Sequence, residues 1–328
     1  MTKSNRPQRL HLYLNHHIDS RRWDRVVPRD DDIVIATPYK CGTTWTQGIV
    51  SSLVLGRCAV SASPWADFRP VGDSVVERIE KQKHRRFLKT HLPLDGIPFH
   101  EQIRYIVVSR DPRDVFMSLW NHYSSYTDAG YAELEGRSEH IGDPFPRCPE
   151  DVREFWKMWI SRGWFEWETE GYPFWSNLGH VQSWWNFRHL SNILFVHYNH
   201  LKQDVIRQIR RIAAYLEIAV DDAQVNEIVN ATTLDSMRKL AKENEDSKQP
   251  PTFSGGADSF YYKGTNNRWQ GVLTKQDLQL YDEAAERVLT TECRRWLEKG
   301  ILEDSSRGVA TEQPCPAVPA MFACPSQS

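Results

Sequence analysis

Cysteine is sparse in this chain. Six occur in 328 residues, at positions 41, 58, 148, 293, 315 and 324, and no two form a Cys-x-x-Cys pair. That spacing argues against a disulfide framework or a zinc site and suggests reduced thiols in a cytoplasmic protein. Long apolar runs are also missing. No stretch approaches the roughly 20 residues a spanning helix needs, so no stable membrane insertion is expected. Nor does one sign of charge dominate: 41 basic residues face 43 acidic ones, a net charge of −2. Without a global basic field, nothing argues for a nucleic-acid partner. Met1 to Asn15 is basic but has no apolar h-region or cleavage site, so it does not read as a secretory signal. No internal repeat is found. What the chain does have is 40% hydrophobic residues. That is enough to fill the core of one large domain or two ordinary ones.

The most informative stretch runs from Thr37 to Trp45, Thr-Pro-Tyr-Lys-Cys-Gly-Thr-Thr-Trp. Asp32 to Ala36 before it is apolar and β-branched, which predicts a buried strand. After it, Trp45, Ile49, Leu53 and Val54 recur at helical spacing. A strand-to-helix turn results. Gly42 permits a tight turn and close backbone approach. The free N–H groups of the helix start favour an anion. Lys40 adds a positive charge, and Thr43 and Thr44 add hydroxyls. This is a phosphate cradle, but not a Walker A loop, because Lys40 precedes Gly42 by two residues instead of following the last glycine.

Three further strands are expected. Arg86 to Pro93 delivers His91 at its carboxyl end, where ligands bind in open parallel sheets; Pro93 ends the ladder. Ile103 to Ser109 leads into Arg110, and Asp111-Pro112 reads as an N-cap and first turn. Ser118 then lies about two turns into that helix. Asn192 to Tyr198 is followed by a helix expected over Leu201 to Leu216, and a last helix is expected from Lys275 to about Lys299. Residues 124–147 are polar and read as a mobile loop. Lys242 to Asp258, charged and then rich in Pro and Gly, has the composition of a flexible lid. Trp23, Val26 and Val27 are candidate anchors of the amino-terminal segment. Phe155 to Trp185 is crowded with aromatics; most are expected in the core, and several are expected to line an apolar pocket. Taken singly, these features have plainer readings: an ordinary βα connection, a surface histidine, an arginine paired to a local aspartate.

Taken in order, the motifs resemble the cytosolic-type sulfotransferases, which use 3′-phosphoadenosine 5′-phosphosulfate (PAPS). The resemblance covers about residues 30–300. It implies a single α/β domain, a central parallel sheet flanked by helices in a P-loop nucleotide-kinase-like fold. The domain would occupy 30–300, with an amino-terminal segment 1–29 and a carboxyl-terminal tail 301–328 expected to be disordered. It implies a cradle of Lys40, Cys41, Gly42, Thr43, Thr44 and Trp45 around the 5′-phosphate and base. Arg110, Ser118, Lys263 and Gly264 would hold the 3′-phosphate, and Tyr198 and Thr233 would touch the adenine. His91 would be the general base and Lys40 the second catalytic residue, with no metal required. The acceptor would be a small molecule, aromatic or lipidic, bearing a hydroxyl or amine.

The chain departs from the family in three places. Tyr262 stands where the family carries Arg, and Asn267-Arg268 stand where it carries Gly-Asp; Arg268 is the candidate replacement for the missing charge. Cys41 often corresponds to Ser, either as a small-residue swap or as a thiol acidified by the helix start and Lys40. The family's dimer motif falls on Gln270, Thr274, Lys275 and Gln279 and is not kept, which leaves a homo-oligomer undecided. Two other readings stay open. One is a kinase, which would need Mg²⁺ ligands; the other is a catalytically idle PAP-binding relative.

Overall fold

A computed structural model describes residues 6–135, 141, 143–244 and 251–301. The tail from 302 and residues 245–250 of the expected lid lie outside the described residues. Four short parallel strands form the sheet: β1 (Ile33–Ala36), β2 (Phe87–Thr90), β3 (Arg104–Ser109) and β4 (Ile193–His197), in the order β2-β1-β3-β4. All four fall within the stretches expected from sequence. Their interiors are apolar because both faces are covered, the usual condition of a parallel sheet, with polar residues confined to strand ends and to Lys89 in β2. In β1, alternate residues serve opposite layers. Ile33 and Ile35 join the cluster that includes Ile49, Ile209 and Ile212, whereas Val34 and Ala36 join the one that includes Phe116, Trp156 and Trp184.

Helices fill both layers. After β1 comes α1 (Thr43–Leu55), then α2 (Ser74–Glu80). After β3 come α3 (Pro112–Ser124), α4 (Asp128–Glu135), α5 (Val152–Ser161) and α6 (Leu178–Trp185). After β4 come α7 (Tyr198–Gln203), α8 (Val205–Tyr215), α9 (Asp222–Ala231) and α10 (Leu234–Glu243). The last are α11 (Gly256–Phe260), α12 (Lys275–Val288) and α13 (Thr291–Lys299). The expected cap of α3 is found: Asp111 accepts a hydrogen bond from the Arg113 N–H at 2.9 Å, with Pro112 in the first turn.

Four expectations need correction. The helix placed over 201–216 is two helices, because Asp204 leaves helical geometry and caps α8 by accepting from Arg207 N. The last helix is likewise broken, at Leu289-Thr290, where Thr290 caps α13. A capping side chain competes with the continuing helix for the same N–H groups. The stretch 124–147 contains α4, held by Thr127 Oγ1, which accepts from Gly130 N and donates to Pro251 O. Of the three anchors, Trp23 and Val26 are buried, but Val27 is 63% exposed.

The chain reverses direction across β1. From β1 it crosses to β2 on one side, and β3 and β4 lie on the other. The carboxyl ends of β1 and β3 therefore bound a crevice, the place where open α/β sheets bind ligands.

Candidate active site

The crevice opens into a cavity of about 670 Å³. The loop after β1 forms its floor. Gly42 has φ 102°, and a Cβ there would lie 2.9 Å from Tyr198 Cδ2. Only glycine meets both demands. Lys40 is itself left-handed, at φ 59°, a conformation that costs energy outside glycine and concentrates at functional loops. Its ammonium sits 4.7 Å over the Phe260 ring and donates to His122 Nδ1 at 3.5 Å. Burial lowers the Lys40 pKa to about 8, and Arg110 and Lys89 push in the same direction.

His91 follows β2 and is fixed by the first residue of the same loop. Its Nδ1 lies 2.8 Å from Thr37 O and 3.2 Å from Thr37 Oγ1. A carbonyl only accepts, so Nδ1 carries the proton and Nε2 keeps its lone pair. Thr37 Oγ1 also meets Thr43 Oγ1 at 2.6 Å, linking the mount of His91 to the cradle. Burial, with Lys89 next, holds His91 well below the usual imidazole pKa. The ring is therefore neutral at pH 7. Tyr39 stacks on it with centroids 4.7 Å apart.

Arg110 lies at the tip of β3, only 4% exposed. Its guanidinium covers the Tyr198 ring at 4.3 Å. It also donates to Asn266 Oδ1 at 2.7 and 3.1 Å and to Thr265 O at 2.8 Å. These bonds tie the strand tip to a segment more than 150 residues away. Asn267 in that segment has φ 63°, a conformation asparagine tolerates better than most residues. That accounts for asparagine at a position where glycine was the family expectation. Asp114 on α3 accepts from the Asn267 N–H at 2.6 Å. Gly264 O accepts from Tyr198 Oη at 3.2 Å and from Lys202 Nζ at 2.9 Å. Arg268 faces the half-exposed Tyr262 ring at 4.9 Å.

The sequence-derived candidates converge on this one cavity with a single exception. Lys40, Gly42, Thr43, Thr44, Trp45, His91, Arg110, Ser118, Tyr198, Thr233, Lys263 and Gly264 all line it. The exception is Cys41, whose side chain is fully buried, turned to Tyr39 O at 3.3 Å and absent from the lining. Burial pushes its thiol up to about 12, which removes the reading of an acidified thiol.

The aromatic expectation also needs correction. Trp156, Trp159, Trp184 and Trp185 are buried core, and none of the aromatics singled out in 155–185 lines the cavity. Tyr39, Trp65, Phe68, Tyr126, Phe253 and Phe260 line it instead. Trp65 is held by Asp67, which also accepts from Trp23 Nε1 and Thr90 Oγ1.

Among the polar lining residues that sequence reasoning missed are His122, Lys89 and His17. His122 lies one turn beyond Ser118 on α3, so its i, i+4 spacing was a usable signal. Lys89 lies 4.8 Å from the Trp65 ring centroid, with a pKa lowered to about 8 by burial; its place two residues before His91 in a strand was the hint. For His17 no sequence signal exists.

Sheet order, loop and cavity together define an α/β protein of the doubly wound class with a cavity lined by cationic side chains at its switch point. The chain belongs to the sulfotransferase family: the family model for a sulfotransferase domain matches residues 30–292. A glycolipid sulfotransferase of Mycobacterium tuberculosis is 30% identical over 312 residues, covering 88% of this chain and 94% of that protein. Sulfotransferase 1A1 of Rattus norvegicus is 26% identical, covering 79% and 85%. Among solved structures, mouse sulfotransferase SULT7A1 complexed with PAP superposes with a TM-score of 0.64 at 20% identity, covering 85% of this chain and 92% of that one. Retinol dehydratase in complex with androsterone and PAP gives 0.60 at 18%, covering 83% and 84%. These two likenesses establish the fold. Among the described residues, no helix is long and apolar enough to cross a membrane.

Proposed function

We propose that this protein transfers a sulfuryl group from PAPS to the hydroxyl of a small, apolar-bodied acceptor, with His91 as general base. The observation that carries this reading is the charge of the cavity. Among the described residues, Lys40, Lys89, Arg110, Lys202, Lys263 and Arg268 line it against one carboxylate, Glu133, in a chain of net charge −2. Such a concentration of cations suits a ligand with several negative charges. A nucleotide bearing 5′- and 3′-phosphates is one, and both the cradle and the forked Arg110 match its groups.

The geometry supports the following division of labour. The α1 amino terminus with Thr43 and Thr44 takes the 5′-phosphate. Arg110, Ser118, Lys263 and Gly264 take the 3′-phosphate; Arg268, beside Tyr262, supplies charge where the family's Arg is missing. Trp45 and Tyr198, whose rings meet edge-on at 5.8 Å, border the base together with Thr233. The acceptor oxygen attacks sulfur while its proton passes to His91 Nε2, and the bond from sulfur to the 5′-phosphate oxygen breaks. Lys40 stabilises the charge that develops on that oxygen. The aromatic lining around Tyr39, Trp65 and Phe68 suits a flat or lipidic acceptor, and the mycobacterial relative named for a glycolipid is consistent with that.

The test is turnover of labelled PAPS with a phenol, steroid and glycolipid panel, in wild type and His91→Ala. A general base contributes typically 10²–10⁴-fold. His91→Ala should lose at least about a hundredfold in turnover while binding PAP as wild type does. Undiminished turnover in the variant would overturn the assignment of the base.

A further inference from the structure

His17 lies outside the stretch matched to the sulfotransferase family, 30–292. Yet it is among the residues lining the cavity and is only 1% exposed. The backbone on either side is tied down. The His17 N–H donates to Asn15 Oδ1 at 2.8 Å, and its carbonyl accepts from Arg69 N at 2.7 Å. The imidazole is another matter. Neither Nδ1 nor Nε2 has a hydrogen-bond partner among the described residues. It is surrounded by rings: Phe145, Phe174, Trp175, Tyr39 and Phe68, with centroids 4.9 to 6.4 Å away.

A buried polar side chain with no partner is costly, and phenylalanine would fill the same space without that cost. Nitrogens left unpaired beside a ligand cavity point to a partner that arrives with the ligand. The position is informative too. Tyr39 and Trp175, which border His17, also border His91, at 4.7 and 6.0 Å between centroids. The two histidines address one compartment. Burial, reinforced by His16, His122 and His91, holds His17 neutral. A neutral imidazole offers one donor and one acceptor, so it can pair with a hydroxyl or a carbonyl, and burying either among these rings costs less than burying a carboxylate.

We infer that His17 reads a second polar group on the acceptor: besides the hydroxyl presented to His91, the substrate carries an uncharged hydroxyl or carbonyl elsewhere on its apolar body. This rests on the sulfotransferase reading above and narrows its substrate class to bifunctional acceptors. The amino-terminal segment, through His17, would then set acceptor choice, and the matched domain would supply the donor site and the base.

The experiment is calorimetric binding of acceptors to the full chain saturated with PAP, so that no turnover is needed. Three matched pairs serve as probes: 2-naphthol with 2,6-dihydroxynaphthalene, 4-phenylphenol with 4,4′-dihydroxybiphenyl, and a 3-hydroxy steroid with its 3,17-diol. In wild type, the diol of at least one pair should bind about tenfold tighter than its partner, the value of roughly one well-made hydrogen bond. In His17→Phe that ratio should fall to within about twofold. The melting temperature of His17→Phe should hold or rise, since an unpaired polar group is removed. A fall would mark His17 as structural and sink the inference. Equal binding within every pair in wild type, a ratio that survives His17→Phe, or preference for 4′-hydroxybiphenyl-4-carboxylate would overturn it while the donor reading stands. Failure to bind PAP at all would overturn the donor reading, and this inference with it.

Discussion

Replacing Arg110 by alanine is the most informative single change, because one guanidinium serves two purposes. In the folded chain it stacks on Tyr198 and donates to Thr265 O and Asn266 Oδ1. With a nucleotide it offers the forked positive group that a 3′-phosphate requires. Each charge-assisted hydrogen bond contributes roughly 1.5–3 kcal/mol. Two to the phosphate, at the lower figure, come to about 3 kcal/mol, or roughly 150-fold in Kd. The cost to the fold should be smaller, about 1 kcal/mol, because Thr265 is exposed and water replaces the lost bond. The assay is calorimetric titration with PAP and with 5′-AMP, which lacks the 3′-phosphate. Wild type should prefer PAP by about two orders of magnitude, and Arg110→Ala should bring the two nucleotides close together. Arg110→Lys keeps charge without the fork and should fall between. If Arg110→Ala keeps the full preference for PAP, the 3′-phosphate lies elsewhere and the reasoning from strand tip to phosphate fails.

Three further outcomes are expected. In a pH profile of kcat/KM for the donor, which reports the free enzyme, His91 is depressed and so keeps its basic form through pH 6.5. The acid limb should lie well below that value. Lys40, lowered to about 8, loses its charge above that pH, and activity should fall there. Lys89 titrates in the same range, so Lys40→Arg is the control: it should move the limb upward if Lys40 is responsible. Gly42→Ala should destabilise the fold by about 2–4 kcal/mol in urea unfolding, from the left-handed backbone and the Cβ contact with Tyr198 together; the loss should shrink in a Tyr198→Ala background. Cys41, buried with its thiol pushed up to about 12, should resist iodoacetamide at pH 7.5 until the protein is unfolded, which mass spectrometry of the labelled peptide would show.

Much of the fold was legible locally. Four apolar runs became the four strands, since a buried parallel strand declares itself by composition over five or six residues. The cradle was readable because glycine, lysine and paired threonines sit within one turn of chain. The cap at Asp111-Pro112 was readable for the same reason. The errors came where local signals compete. Apolar periodicity continued across Asp204 and Thr290, but each of those side chains captured the N–H groups of a new helix and ended the old one.

The sequence alone determined the strands, the glycine-containing turn after β1, the histidine at the end of β2 and the arginine at the end of β3, because each is written in a short window whose conformation follows from neighbours in the chain. Tertiary structure alone decided which rings line the cavity. The tryptophans of 155–185 went to the core, and Trp65 was recruited to the cavity by Asp67, whose carboxylate also binds Trp23. Tertiary structure also brought Asn266 to Arg110 and His17 to the compartment of His91. Those meetings depend on how the whole chain packs around one sheet. Packing sums over contacts far apart in sequence, so no window of residues carries them.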